Sequence, residues 1–405
     1  MATADRDPAS GAAGSRDSLR EPPRDPLPAS QNDQPPDLPN DLPGDTAEEI
    51  ALLWSLVAIP SVSGNEGAIA ARIEAWAKDH DLPCVCDETS VRIELSAAAP
   101  GPCLALVSHL DVVPPGVGWT RDPFAPQIVM HERTRRLYGR GSCDAKASVA
   151  AMLCAALDIQ RGGGPARGRL LLLFGYSEET RDTSMPKAVP RCGALDAAII
   201  GEPTGLEFAV AQRGLMVAEL HAHGDQRHAA YVADGSYRSA VLDLANDLVR
   251  LPTLLQERPH PLLGQPSLAP TQLEAGVGRN ITPPLAKALI DLRTTPAWTH
   301  AEVGQTLRAA LRSEVHIVSE RLLPCETPTG SRLLPVAQAV RPGSRAYGSP
   351  TCSDWVFLRH LDAIKCGPGD SLRSHTPDEW VDTEQVTAAR SFYRDVAQRY
   401  LASAS

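Results

Sequence analysis

Arg169-Leu-Leu-Leu-Leu-Phe-Gly-Tyr176, followed at once by Ser177-Glu178-Glu179, decides how this chain is read. An apolar run of that length and continuity suits a strand of a parallel sheet, which needs both of its faces covered. Two adjacent carboxylates at the exit of such a strand repel each other, so they call for bulk water or a cation. Working outward, the same kind of position recurs. His109-Leu-Asp111 follows the apolar run Cys103–Ser108, and Glu202 follows Ala197–Gly201. Asp144 and His375 sit in glycine-rich loops.

The pattern around these points alternates. Helical spacing marks Ile50, Leu53, Trp54 and Val57, then Ile69, Ile73 and Trp76, then Val149, Met152, Leu153, Ala156 and Leu157. Strands fall between them, which predicts an α/β fold: a mostly parallel sheet flanked by helices. Thr46-Ala-Glu-Glu49 has the form of a capping box at the first helix. After about Gln212 the texture changes. Val217–His223 and Ala286–Arg293 alternate as half-exposed strands, with helices near 238–250 and 300–312 and a further strand at 314–319. That describes an inserted α+β lid or dimerisation domain over 213–320. The catalytic domain then comprises 45–212 and 321–405, closing with a helix over about 384–401. Residues 1–44 are crowded with Pro, Asp, Arg, Ser and Ala, and predict a disordered tail that cannot bury enough apolar surface to offset its ordering entropy.

Composition narrows the function. A formal charge of −10 over 405 residues argues against nucleic acid or an anionic membrane as partner. No run reaches the roughly 18 apolar residues of a membrane span, and no apolar signal-peptide core opens the chain. Nine cysteines, an odd number without paired spacing, suit reduced thiols and a cytoplasmic protein. Cys84-Val-Cys86 is one residue too tight for the usual C-x-x-C metal knuckle.

Each polar position has a plain alternative. His109-Leu-Asp111 could be a surface pair, and Asp144 in Leu137-Tyr-Gly-Arg-Gly-Ser-Cys-Asp144-Ala-Lys146 could cap the helix that follows. Glu178 and Glu179 are harder to explain that way, because an unpaired charge in the dry mouth of a sheet is costly. At a sheet's carboxyl edge, where α/β folds bind ligands, a histidine can ligate metal while a neighbouring aspartate orients its ring. One glutamate of a pair can ligate while the other moves a proton. Ile200-Gly-Glu202-Pro-Thr204 and Cys366-Gly-Pro-Gly-Asp-Ser-Leu-Arg-Ser-His375-Thr-Pro would bring a further carboxylate and imidazole to the same edge. This is the material of a two-metal hydrolase.

In these motifs and their order, from about residue 46 to 401, the chain resembles the acetylornithine deacetylase, succinyl-diaminopimelate desuccinylase and aminoacylase family of dinuclear zinc hydrolases. The resemblance implies a first metal on His109, Asp144 and Glu202, and a second on Asp144, Glu179 and His375, with Asp144 bridging. It implies Glu178 as general base and Asp111 as the residue that orients His109. Gly224-Asp-Gln-Arg-His228-Ala resembles the segment whose histidine reaches the substrate carbonyl, usually across a dimer. Gly278-Arg-Asn280-Ile-Thr-Pro283 and Ile290-Asp-Leu-Arg293 resemble later signatures, with Asn280 and Arg293 toward substrate polar groups. Two zinc ions per subunit are implied, with cobalt or manganese suiting the same oxygen and imidazole donors. The implied reaction is hydrolysis of an N-acyl amino acid, foremost N-acetyl-L-ornithine in arginine biosynthesis. Succinyl-diaminopimelate, or a carboxypeptidase or dipeptidase substrate, is the alternative; a non-catalytic binding protein is the alternative of another class. The partners expected are a small-molecule substrate and a second copy of the chain.

Two departures from the family pattern stand out. Ala145-Lys146-Ala147-Ser148 occurs where the family commonly has x-K-G-G, adding side chains that would crowd the helix start. Ser349-Pro-Thr351-Cys352-Ser353-Asp354 carries an extra cysteine in the G-T-S-D loop, where Thr351 is expected to meet the substrate carboxylate.

Overall fold

The computed structural model describes residues 46–180, 184–233 and 235–403; the tail expected over 1–44 lies outside them. The Arg169–Gly175 strand is buried on both sides, as its composition requires. Leu170, Leu172 and Phe174 pack into one core and Leu171 and Leu173 into another. It belongs to a nine-stranded mixed sheet. The sheet's centre is parallel and runs in the order Arg169–Gly175, Cys103–His109, Ala197–Ile200 and Asp362–Lys365. Ser90–Ser96 and Cys84–Cys86 extend it antiparallel on one side. Phe208–Gln212, with Cys325–Glu326 and Ala346–Ser349 beside it, completes the other.

Register brings the chemistry to one edge. His109 lies opposite Gly175, Val107 opposite Ile200, and Ile200 opposite Lys365. All four central strands therefore end within two residues of one level, and the residues at and just past those ends share one cleft.

The helix Lys146–Arg161 has its first twelve residues buried, the signature of a helix covered all round. It packs between the sheet and the helices Glu48–Val57 and Thr383–Ala402. The expected crowding at its start does not arise. Ser148 is fully buried, and its room comes from two glycines across the cleft. A Cβ on Gly201 would stand 2.8 Å from Ser148 Cβ, and one on Gly367 2.5 Å from its Oγ.

The capping box expected at Thr46 does not form. Ala47 occupies the N-cap with no side-chain bond, because the Glu49 carboxylate turns inward to Arg390 Nη1 at 2.8 Å and Thr387 Oγ1 at 2.5 Å. A complete capping box forms instead at Thr299 and Glu302.

Between Gln212 and Cys325 the chain builds a second, four-stranded antiparallel sheet, in the order Ser267–Ala275, Leu285–Thr294, Gly214–His223, Glu314–Leu322. Met216, Ala218, Leu220, Ala288, Ile290 and Leu292 face the helices Ala240–Arg250 and His300–Ala310. Sequence reading missed Ser267–Ala275. Pro270 cannot donate to a ladder, so it fits only an edge strand, and the register does shift between Pro270 and Gln272. No described helix is long and apolar enough to cross a membrane.

Candidate metal centre

The turn after Arg169–Gly175 sets the geometry of the cleft. Ser177 adopts φ 58°, and its N–H and hydroxyl donate to one oxygen of Glu66, at 2.9 and 3.1 Å. The next two amides donate to Asp111: Glu178 N to Oδ1 at 3.0 Å and Glu179 N to Oδ2 at 3.1 Å. Ser63 Oγ donates to the same carboxylate at 2.6 Å. Asp111 therefore pins the glutamate pair as much as it orients His109. The ring Nδ1 of His109 lies 3.0 Å from the Asp111 carbonyl and 3.5 Å from its carboxylate.

His109 is 1% exposed and aims Nε2 at two acids, Asp144 Oδ1 at 3.2 Å and Glu202 Oε1 at 3.8 Å. On the other side of Asp144, His375 Nε2 lies 3.7 Å from Oδ2 and 2.9 Å from the Glu179 carboxylate. The structure thus gathers His109, Asp144, Glu179, Glu202 and His375, with one ligand atom each from His109, Asp144 and Glu179 within 4.8 Å of one another.

Four residues expected to touch substrate make no described bond to this group. His228 is exposed, and its Nδ1 accepts from Ala230 N at 3.1 Å. Asn280 is exposed, its carbonyl accepting from Ala229 N. Arg293 is held by Asp291, at 2.8 and 3.1 Å. Thr351 is exposed and bonds Lys365 and Ser349.

The electrostatics are those of a cation cradle. Burial drives the Glu178 carboxyl well above its ordinary range, and the Glu202, Glu179 and Asp144 charges add to that. Burial, with Asp144 beside it, raises Glu179 and pushes Glu202 up to about 7. Burial would raise Asp144 too, but the bond and charge of His109 hold it low. Burial would lower the His109 imidazole, yet Asp111 and Asp144 hold it well above its usual value. Among the described residues, the direct ion-pair partners of Asp144, Glu179 and Glu202 are these two imidazoles alone. Oxygen and imidazole donors converging with surplus negative charge fit divalent cations.

Sequence reading also missed the support of Asp144. Glu379 Oε1 accepts from Cys143 N at 2.9 Å and Asp144 N at 3.0 Å, while Oε2 takes Arg140 Nη1 at 2.6 Å. Both side chains of that ion pair are 1% exposed. The hints were Arg140 inside the glycine loop and Glu379 four residues past His375. Glu379→Gln leaves the Arg140 charge buried without its counter-ion, so unfolding free energy should fall by about 3 kcal/mol in denaturant titrations.

Comparison with known proteins gives the family. Residues 105–399 match the model of the peptidase family M20/M25/M40. The succinyl-diaminopimelate desuccinylase of Xanthomonas campestris pv. campestris is 30% identical over 389 residues, covering 88% of this chain and all of that protein. The acetylornithine deacetylase of Edwardsiella ictaluri is 26% identical over 381 residues, covering 87% and 97%. A tripeptidase structure from Staphylococcus aureus shares the fold, with a TM-score of 0.73 at 16% identity, covering 88% and 98%.

Proposed function

This chain belongs to the peptidase family M20/M25/M40 of dinuclear metallohydrolases, and from that premise we propose that it hydrolyses the amide bond of an N-acyl amino acid. N-acetyl-L-ornithine, giving L-ornithine and acetate in a cytoplasmic step of arginine biosynthesis, is the substrate we put first. The observation that carries the reading is Glu178, a carboxylate with a raised pKa, fixed by Asp111 beside a cluster of donors centred on Asp144.

In this proposal His109, Asp144 and Glu202 would hold one zinc ion, and Asp144, Glu179 and His375 the other. When bound, such a pair supplies charge to polarise the scissile carbonyl and to acidify the attacking water. Glu178 takes the water's proton as the acyl carbon is attacked, then returns it to the departing amine nitrogen. Asp111 keeps Glu178 in reach by holding two successive amides of its turn. His228 donates to the developing oxyanion. Its loop makes no described contact with the cluster, so we assign it to the lid of a second copy in a homodimer. Asn280, Arg293 and Thr351 orient the rest of the substrate.

The desuccinylase relative supports a second reading, release of succinate from succinyl-diaminopimelate. The deciding experiment measures acetate against succinate release from the two candidates, with a dipeptide as third substrate, by the zinc-reconstituted protein. Acetate release alone is the expected result. Exclusive succinate release moves the assignment to the desuccinylase, and cleavage of the dipeptide alone moves it to a peptidase.

A further inference from the structure

Cys84-Val85-Cys86, too tight for a C-x-x-C knuckle, forms the outermost strand of the main sheet. Cys84 lies opposite Ile93 and Cys86 opposite Val91. Side chains alternate along a strand, so Val85 stands 54% exposed on one face and both thiols share the other. There the two half-buried sulfurs lie 4.0 Å apart, against the helix Gly67–Asp79, whose Ala70 carbonyl is 4.0 Å from Cys86 Sγ. No other two cysteines among the described residues bring their sulfurs into contact.

That spacing suits an atom shared between the sulfurs better than a bond joining them. Alternate residues of a strand have Cα atoms about 6.6 Å apart, near the outer limit of what a disulfide spans. Two metal–sulfur bonds of about 2.3 Å bridging the 4.0 Å gap would instead meet at about 120°, with the strand unmoved. Charge favours the same occupant. The contact between the thiols holds Cys86 below the ordinary thiol value and raises Cys84, so one proton is shed readily and the other retained. The Glu74 carboxylate acts on both thiols, and a cation between the sulfurs would offset this accumulation of negative charge. Among the described residues no third histidine, cysteine or carboxylate donor closes on the pair. Structural zinc asks for four donors. Soft thiolates with so few companions select Cu(I) instead, with a third position left to solvent.

We propose that Cys84 and Cys86 form a dithiolate site for one soft cation of the Cu(I) class, separate from the carboxylate and imidazole cluster. The cation replaces the thiol protons. Two S–H bonds break as two metal–sulfur bonds form, both protons pass to solvent, and no electron is transferred.

The test loads the reduced, zinc-reconstituted chain with Cu(I) under anaerobic conditions, then challenges it with a chromogenic Cu(I) chelator. About one copper ion per chain should be retained. Retention should be lost in Cys84→Ser and in Cys86→Ser, and kept in Cys352→Ser, whose thiol is also partly exposed but stands outside the pair. Alkylation mapping by mass spectrometry reads the unaltered chain and decides the matter if a serine variant fails to fold. Cu(I) should shield Cys84 and Cys86 together and leave Cys352 labelled. Complete loss of copper to the chelator, equal retention in all three variants, or alkylation of Cys84 and Cys86 undiminished by copper overturns the proposal. None of these readouts depends on turnover, so the site stands or falls apart from the hydrolase reading.

Discussion

Glu178→Gln should lower kcat about a thousandfold, within the range general acid–base catalysis contributes, while metal content stays at the level of the unaltered protein. The change is nearly isosteric and leaves the turn intact, because Asp111 grips the backbone amides of residues 178 and 179 and not the Glu178 side chain. It also removes one negative charge from a buried cluster that already holds Glu179, Glu202 and Asp144. Thermal stability should therefore be unchanged or slightly raised, the opposite of what a merely structural glutamate would produce. The pH profile gives an independent check. Burial raises the Glu178 pKa, so its basic form is lost as pH falls through a value above the ordinary carboxylate range. The acid limb of kcat/KM should lie correspondingly high and vanish in the variant. Near-normal turnover by Glu178→Gln would take the base role away from this residue.

Asp144→Ala should be as damaging to turnover, and for a different reason. Its two oxygens face the two imidazoles, Oδ1 toward His109 at 3.2 Å and Oδ2 toward His375 at 3.7 Å. No other described residue ion-pairs with both rings, so its loss opens both halves of the centre at once. Elemental analysis of dialysed protein should show metal falling from about two ions per chain to below one, the stoichiometry expected of a two-metal site. Activity should not be restored by moderate excess zinc. Undiminished metal content in Asp144→Ala would mean that the ions sit elsewhere, and the cleft would lose its chemistry. Comparing Asp144→Ala with Glu379→Gln separates ligation from support, since Glu379 touches only the backbone of Asp144.

Some of this was legible from local rules. Continuous apolar runs such as 169–175 can only be double-sided strands, so the parallel core followed from composition and spacing. Alternation over 217–223 and 286–293 announced a one-sided sheet. The donors were legible too, because each stands immediately past a strand end or in a glycine loop. Thr46-Ala-Glu-Glu49 misled because a capping box is a local preference worth about 1 kcal/mol. The buried contact of Glu49 with Arg390, 341 residues away, outweighs it.

By itself, then, the order of residues determined which segments become buried strands, which acids and imidazoles stand at their exits, and that a charge surplus must be met there. These depend on neighbours within a few positions, where periodicity and turn chemistry act. Only the tertiary structure decided that Asp111 serves the Glu178 turn and that Glu379 and Arg140 carry Asp144. Hydrogen bonds between groups tens to hundreds of residues apart leave no periodic trace in a chain, because their energy depends on distances that exist only after the strands have stacked in register.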